Sequence, residues 1–267
     1  YTIIVYNQQD KGGVIVRNEL GIYSPGTTFI ENNEILSNNT CCIWIQKVKT
    51  PLNERFIFGL SNINIYNGKS NLSEYNELYY HNPTTYDSIE KFINSYNPFE
   101  IIIIHNLSEN IIESIIKCLQ LNSKKNYVID LNNKTDHNSL QALNCENQVY
   151  QNQIIQKYFP NMNNEIFRYN ILEKPISLQS YCFLLNFVGL HNVNLINKIS
   201  EPIIEQLDEI LVCANHSLKQ LNMIGNGNEI NYCLNDGPIC SVLSILNKCK
   251  TKMGKREVRI FVEKLRS

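Results

Sequence analysis

The stretch PFEIIIIHNLSENIIESIIKCLQLNSKKNYVID, residues 98–130, decides the fold class. From Phe99 to Ile104 it is an apolar run of strand length, the pattern of a strand buried on both faces. Ile111, Ile112, Ile115, Ile116 and Leu119 then recur at helical spacing, behind Ser108 as N-cap and Glu109 in the first turn. Tyr127 to Ile129 is a second short strand, ending at Asp130. Strand, helix, strand in that order predicts a parallel pair joined by a crossover helix.

Working outward, Thr84 to Asn94 predicts another helix, with Tyr86, Ile89, Phe92 and Ile93 apolar. Before it, Cys41 to Lys49 and Phe56 to Tyr66 read as strands, and Asn67-Gly68 signals a hairpin into Lys69 to Asn71. Earlier still, TIIVY (2–6) and VIVRNELGIY (14–23) flank the turn Lys11-Gly12-Gly13. The antiparallel strands followed by the α-β-α-β alternation predict a ribonuclease-H-like mixed sheet. After Ser139 only helices are expected: Leu140 to Tyr158, Leu178 to Val188, Ile203 to Leu221, Ile239 to Lys248 and Lys252 to Lys264. The fold class is therefore α/β followed by all-α.

The chain has 267 residues and a formal net charge of −1, which argues against a free-standing nucleic-acid binder. Eight Lys or Arg fall between Lys248 and Arg266, against Glu257 and Glu263, and predict a solvated helix face. Nine cysteines without a C-x-x-C spacing predict buried reduced thiols and an intracellular protein, its compartment unspecified. Cys41 and Cys42, adjacent on a strand, should point to opposite faces. No apolar run is long enough to span a membrane as a helix.

Catalytic apparatus is not visible. Gly254-Lys255 has the last two residues of a phosphate loop, but position 249 is Cys and position 256 is Arg, where Gly and Ser or Thr are needed. The pair is better placed in the first turn of a helix capped by Thr251, with Gly254 admitting close backbone approach and Lys255 facing solvent. Val242, Ile245, Leu246 and Cys249 give the preceding helix one apolar face. A metal nuclease would need carboxylates on central strands. FIFGLSNINIY instead offers Asn62 and Asn64, while Glu100 and Asp130 stand singly at strand ends and read as solvated. His105 closes the IIIIH strand where parallel sheets hold sites, but without a partner it reads as a satisfied polar end. His81, His137, His191 and His216 are scattered. No catalytic, cofactor-binding or metal-ligating residue is assigned.

Several stretches, in order, resemble the MutS family of DNA mismatch-repair proteins. RNELGIYSPGT (17–27) looks like that family's passage from the mismatch-binding domain into the connector, and NNTCCIWI (38–45) like the start of the connector. FGLSNINIYNGKSNLSEY (58–75) resembles the connector's strand and hairpin, with Asn64 where the family often has Asp. LDEILVCANHSLKQLNMI (207–224) resembles the helix that opens the lever and core. SVLSILNKCKTKMGKREVRIFVEKL (241–265) resembles the family's M-G-x-R helix turn, with Phe261 in place of the usual Trp.

The resemblance implies the end of a mismatch-binding domain at 1–28, a ribonuclease-H-like connector at 29–138, and an incomplete helical lever or core segment at 139–267. It implies a non-catalytic part of a mismatch-repair protein in which binding of mismatched duplex DNA is coupled to ATP. The Phe-x-Glu wedge and the ATPase are expected outside this stretch. ATP and magnesium are then cofactors of the full-length protein only, none being expected in this chain. Partners would be mismatched DNA, a MutL-like protein and a second full-length chain, as homodimer or heterodimer, with no membrane. Two alternatives stay open: a stand-alone binding protein without the ATPase, and a degenerate ribonuclease-H-like nuclease.

Overall fold

The computed structural model describes residues 3–11, 14–23, 38–51, 53–80, 83–123, 125–160, 173–191, 198–205, 221–223, 241–251, 253–255 and 257–258. Two compact units emerge from the contacts: Tyr1–Glu90 with Tyr96–Glu205, and Lys91–Ser95 with Gln206–Ser267.

In the first unit, β1 (Ile3–Lys11) and β2 (Val14–Tyr23) form an antiparallel ribbon, as the flanking of Lys11-Gly12-Gly13 predicts. A separate six-stranded sheet holds β3 (Asn39–Lys49), β4 (Glu54–Asn64), β5 (Ser70–Leu78), β6 (Glu100–His105), β7 (Lys125–Asp130) and β8 (Ile203–Ile204). Its order is β7-β6-β3-β4-β5-β8. β3, β4 and β5 pair antiparallel, while β6 joins β3 in parallel and β7 joins β6 in parallel. The alternation in residues 98–130 is thus a mixed sheet with its parallel pairs where expected. The central strands are the apolar runs: every residue of β6 is buried, as are the first seven of β3. Doubly buried strands need no alternation, which is why EIIIIH is continuous.

The Asn67-Gly68 hairpin forms. Gly68 has φ +71°, in the left-handed region that suits glycine, and a side chain there would overlap the Lys198 carbonyl. The Asn64 Oδ1 accepts from the Tyr66 and Asn67 amides at 3.0 and 3.2 Å, so Asn64 is a turn former.

One sheet face carries Cys42, Trp44, Ile63, Leu72, Ile102, Ile104 and Ile129. Helices α3 (His137–Asn144), α4 (Gln148–Tyr158) and α5 (Pro175–His191) cover it, and their buried side chains join these in a single core. α5 is apolar nearly all round and buried along most of its 17 residues, as a helix enclosed by sheet and neighbours must be. The opposite face carries Cys41, Ile43, Phe56, Phe58, Leu60, Ile101 and Ile103. Phe56 stacks on Phe58 at 5.7 Å and meets the edge of Tyr79 at 4.8 Å. Helix α1 (Asp87–Tyr96) follows a short 3-10 turn, and α2 (Glu109–Cys118) buries Ile112 and Ile115. Ser108 sits at the N-cap of α2 with extended backbone, but its hydroxyl makes no capping bond. Its carbonyl instead accepts from Ile111 and Ile112.

Two expectations about the second half need correction, and a third falls largely outside the described residues. Strands do not stop at Ser139, because Ile203 and Ile204, expected to open a helix, pair in parallel with Asn71 and Leu72. Of the helical stripe Leu207–Leu221, residues 207–220 lie outside the described ones, and Leu221 is an exposed turn residue. Leu140 to Tyr158 is two helices, broken where α3 ends at Cys145 and Asn147 caps α4 through the Val149 amide at 2.9 Å.

In the second unit, α6 (Val242–Leu246) begins in a capping box between Ser241 and Ser244. Its expected apolar face is not buried: Ile245 and Leu246 are about half exposed, at 47% and 51%. Among the described residues no helix is long and apolar enough to cross a membrane.

Candidate functional site

The residues singled out from sequence do not converge. Glu100 opens β6 and Asp130 closes the parallel β7, so they stand at opposite ends of their strands. Five residues of rise, about 3.3 Å each, separate the two levels, too far for shared metal ions. Glu100 is fully buried, which corrects its expected solvated position. Its carboxylate meets the Lys125 ammonium at 3.0 Å and accepts from the Tyr127 hydroxyl at 3.3 Å. Asp130 is a turn residue whose Oδ1 accepts from Asn132 N and Nδ2, both at 2.9 Å. The central strand β3 has neither Asp nor Glu.

Asn62 is buried, accepts from the Cys41 thiol at 3.3 Å and donates to Asn39 at 3.4 Å. His105 is buried, and its Nδ1 accepts from the Leu107 amide at 3.2 Å. Burial holds its pKa below the ordinary histidine value, against the pull of Asp130. It is therefore a neutral imidazole committed to the β6 turn. His137 begins α3 on the surface, and His191 Nδ1 lies 2.7 Å from the Phe187 carbonyl. His81 and His216 lie outside the described residues.

Cys41 and Cys42 do face opposite sides of the sheet, both fully buried. Burial raises the Cys42 and Cys182 thiols far above their ordinary value and pushes Cys145 up to about 12. Such thiols stay protonated and are poor nucleophiles.

The Gly254-Lys255 turn is occupied by its own chain. Thr251 Oγ1 accepts from the Gly254 amide at 3.1 Å, and the Thr251 carbonyl accepts from Lys255 N at 3.0 Å. This is the expected Thr251 cap, and it engages two amides that a phosphate would need. What approaches Gly254 is side chain and not backbone: a Cβ there would meet Cys249 Cβ at 3.1 Å and Thr251 Oγ1 at 3.2 Å. Lys255 is half-buried instead of solvent-facing. In the basic run, Lys248 and Lys250 are exposed, while Lys252, Arg256, Arg259, Lys264 and Arg266 lie outside the described residues.

A denser polar constellation, unforeseen from sequence, lies at the β5 edge. Glu205, directly after β8, accepts from Asn71 Nδ2 at 2.7 Å through one carboxylate oxygen and from the Tyr96 hydroxyl through the other. Its amide donates to Leu72 O at 2.9 Å, and its carbonyl accepts from Ser73 Oγ at 3.3 Å. Burial, reinforced by the Glu205 charge, holds the Tyr96 phenol well above its usual range, so it is a permanent donor. No local pattern in EPIIEQLDE marks Glu205, because its partners are 109 to 134 residues away.

No family model matches the chain. It is similar to the putative DNA mismatch repair protein mutS homolog L359 of Acanthamoeba polyphaga mimivirus, 26% identical over 274 residues. The similarity is MutS-like, and it is distant. It takes in 96% of this chain but 24% of the relative, so the chain spans about a quarter of that protein's length.

Proposed function

We propose that this chain is the connector and the beginning of the lever of a MutS-like mismatch-repair protein, a part that transmits between DNA and ATP sites and performs no chemistry itself. The observation that carries this reading is the similarity along 96% of the chain to a quarter of one mismatch-repair homologue. The sheet supports it. Within the six-stranded sheet, β5-β4-β3-β6-β7, with β4 antiparallel to its neighbours, is consistent with the ribonuclease-H-like mixed sheet expected of a connector. The connector-like stretches NNTCCIWI and FGLSNINIYNGKSNLSEY fall on β3 and on the β4–β5 hairpin of that sheet.

In this reading 1–28, 29–138 and 139–267 are family segments and not limits of compaction, since the first compact unit runs on to Glu205. Mismatched DNA, a MutL-like protein, ATP and magnesium are partners of the whole protein. The test is the native protein itself, captured with an antibody against this chain and sized. A species several times larger than 31.0 kDa, yielding tryptic peptides of a phosphate-binding loop, is expected. A native species of 31 kDa, the mass of this chain, overturns the reading in favour of a stand-alone binding protein.

A further inference from the structure

Residues 198–205 run as a strap along the β5 edge, seated by Ile199, which joins the core, and by buried Pro202, and bound by a series of polar contacts. The Ser200 amide and hydroxyl both donate to Gly68 O, at 2.8 and 3.0 Å. Ser70 Oγ donates to Ser200 O at 3.0 Å. Two residues of strand pairing follow, with Ile203 more than half exposed. Glu205 then closes the strap with the four contacts described above. By contrast β3 and β6 are paired on both sides and buried on both faces. An edge segment paired on one side through two residues opens with less free energy than a core strand paired on both sides.

We propose that residues 198–205 are a latch, held shut by the Glu205 carboxylate on Asn71 and Tyr96, that opens as a unit while the sheet stays folded. Closed, the latch covers the hydrogen-bonding edge of β5 at Asn71 and Leu72. Open, it frees that edge. Glu205 is the key because one side chain joins three elements: the strap, β5 through Asn71 and the end of α1 through Tyr96. A carboxylate accepting two side-chain donors at once is stronger than a neutral bond and is lost as a whole when the side chain is truncated.

The test is amide hydrogen exchange on the full chain, comparing wild type with Glu205→Ala and Tyr96→Phe. The Ser200 amide reports the strap, and the Ile43 and Ile103 amides report the sheet. The expected result is at least tenfold faster exchange at Ser200 in Glu205→Ala, with Ile43 and Ile103 unchanged. Tyr96→Phe, which removes one hydroxyl and keeps the ring, should accelerate Ser200 by a smaller factor in the same pattern. Unchanged Ser200 exchange in both variants overturns the latch. So does equal acceleration at Ser200, Ile43 and Ile103, which would make the strap part of the global unfolding unit. Should Glu205→Ala not fold, Tyr96→Phe decides alone by the same criteria.

Discussion

Gly59 of β4 lies directly under the first turn of α5, so close that a Cβ on Gly59 would overlap the Ile176 carbonyl and stand 2.7 Å from Ser177 N. The sequence FGLS therefore carries a packing requirement. A helix buried as fully as α5 can approach the sheet only where a strand offers no side chain. Two small residues, one on each side, continue the contact: Ser61 and Ser180 hydroxyls lie 2.6 Å apart, and Ser180 donates to Cys42 O at 2.9 Å. Gly59→Ala should destabilise the chain by about 1–3 kcal/mol or more, since the obstacle is backbone and cannot rotate away. Denaturant melts check this, and a variant that melts like wild type would show that α5 can shift without cost.

Glu74 is the cross-strand partner of Gly59, and its Oε2 accepts from the Ile176 and Ser177 amides at 2.8 and 2.9 Å. It caps α5 from a strand a hundred residues away. Glu74→Ala should cost about 1–2 kcal/mol, the usual value of a lost N-cap. Burial outweighs the two amides and Lys174 and raises the Glu74 carboxyl above its ordinary value. A carboxyl raised on folding contributes stability at pH below its unfolded value and loses it as pH rises through the folded one. Relative to Glu74→Gln, wild type should therefore lose stability as pH rises above the ordinary glutamate range. Urea midpoints of both proteins across that rise measure it; a difference that grows in favour of wild type with rising pH contradicts the assignment.

These two residues show where the sequence stops being informative. β6 and the Asn67-Gly68 hairpin were legible because burial and turn chemistry are written locally in EIIIIH and NGK. α5 was legible as a helix, though read as Leu178 to Val188 against the observed Pro175–His191, and not in orientation, since an all-round apolar helix has no periodic face to point at the sheet. Ile203 and Ile204 read as helix because PIIEQLDEI fits a 3.6-residue period, and only the distant β5 edge makes them a strand. Glu74, Glu205 and the Glu100–Lys125 pair were illegible for the same reason: a carboxylate's partner across a fold leaves no trace in its own neighbourhood.

The Glu100–Lys125 pair gives a third prediction. Lys125 lies on the neighbouring strand, opposite Glu100, and its side chain is 26% exposed. Lys125→Met would leave a carboxylate with no exposure beside an uncharged side chain, so destabilisation of about 2–3 kcal/mol is expected, less than for a fully buried pair. Adding Glu100→Gln to that variant should recover part of the loss, because the stranded charge disappears. Thermal melts of the single and double variants decide. If the double variant is less stable than Lys125→Met alone, the charge was not what the site was paying for.

ATP provides the fourth. The Gly254 and Lys255 amides are held by Thr251, and position 249 is Cys, so neither of these two amides is free for a phosphate. The chain as it stands should show no heat of ATP binding at micromolar concentrations. Saturable titration in that range would reopen the nucleotide reading.

The same turn carries the last prediction, which sets packing against ligand binding. Thr251→Ala should cost about 1 kcal/mol, because the Gly254 amide loses the hydroxyl that caps it. Gly254→Ala brings two opposed effects. Alanine favours a helix by about 1 kcal/mol over glycine, while its methyl crowds Cys249 and Thr251 at 3.1–3.2 Å, so the net change should be small. Gly254→Val adds two further methyl groups on a β-branched carbon in the same space, and a loss of about 1–3 kcal/mol is expected. Lys255→Ala removes a half-buried side chain and should cost less than Gly254→Val. A phosphate loop would give the reverse order, with Lys255 decisive for ligand affinity and little fold effect at either glycine variant. Denaturant melts of the four variants separate the two, and if Gly254→Val melts with the wild type, the crowding of Gly254 against Cys249 and Thr251 has no energetic weight.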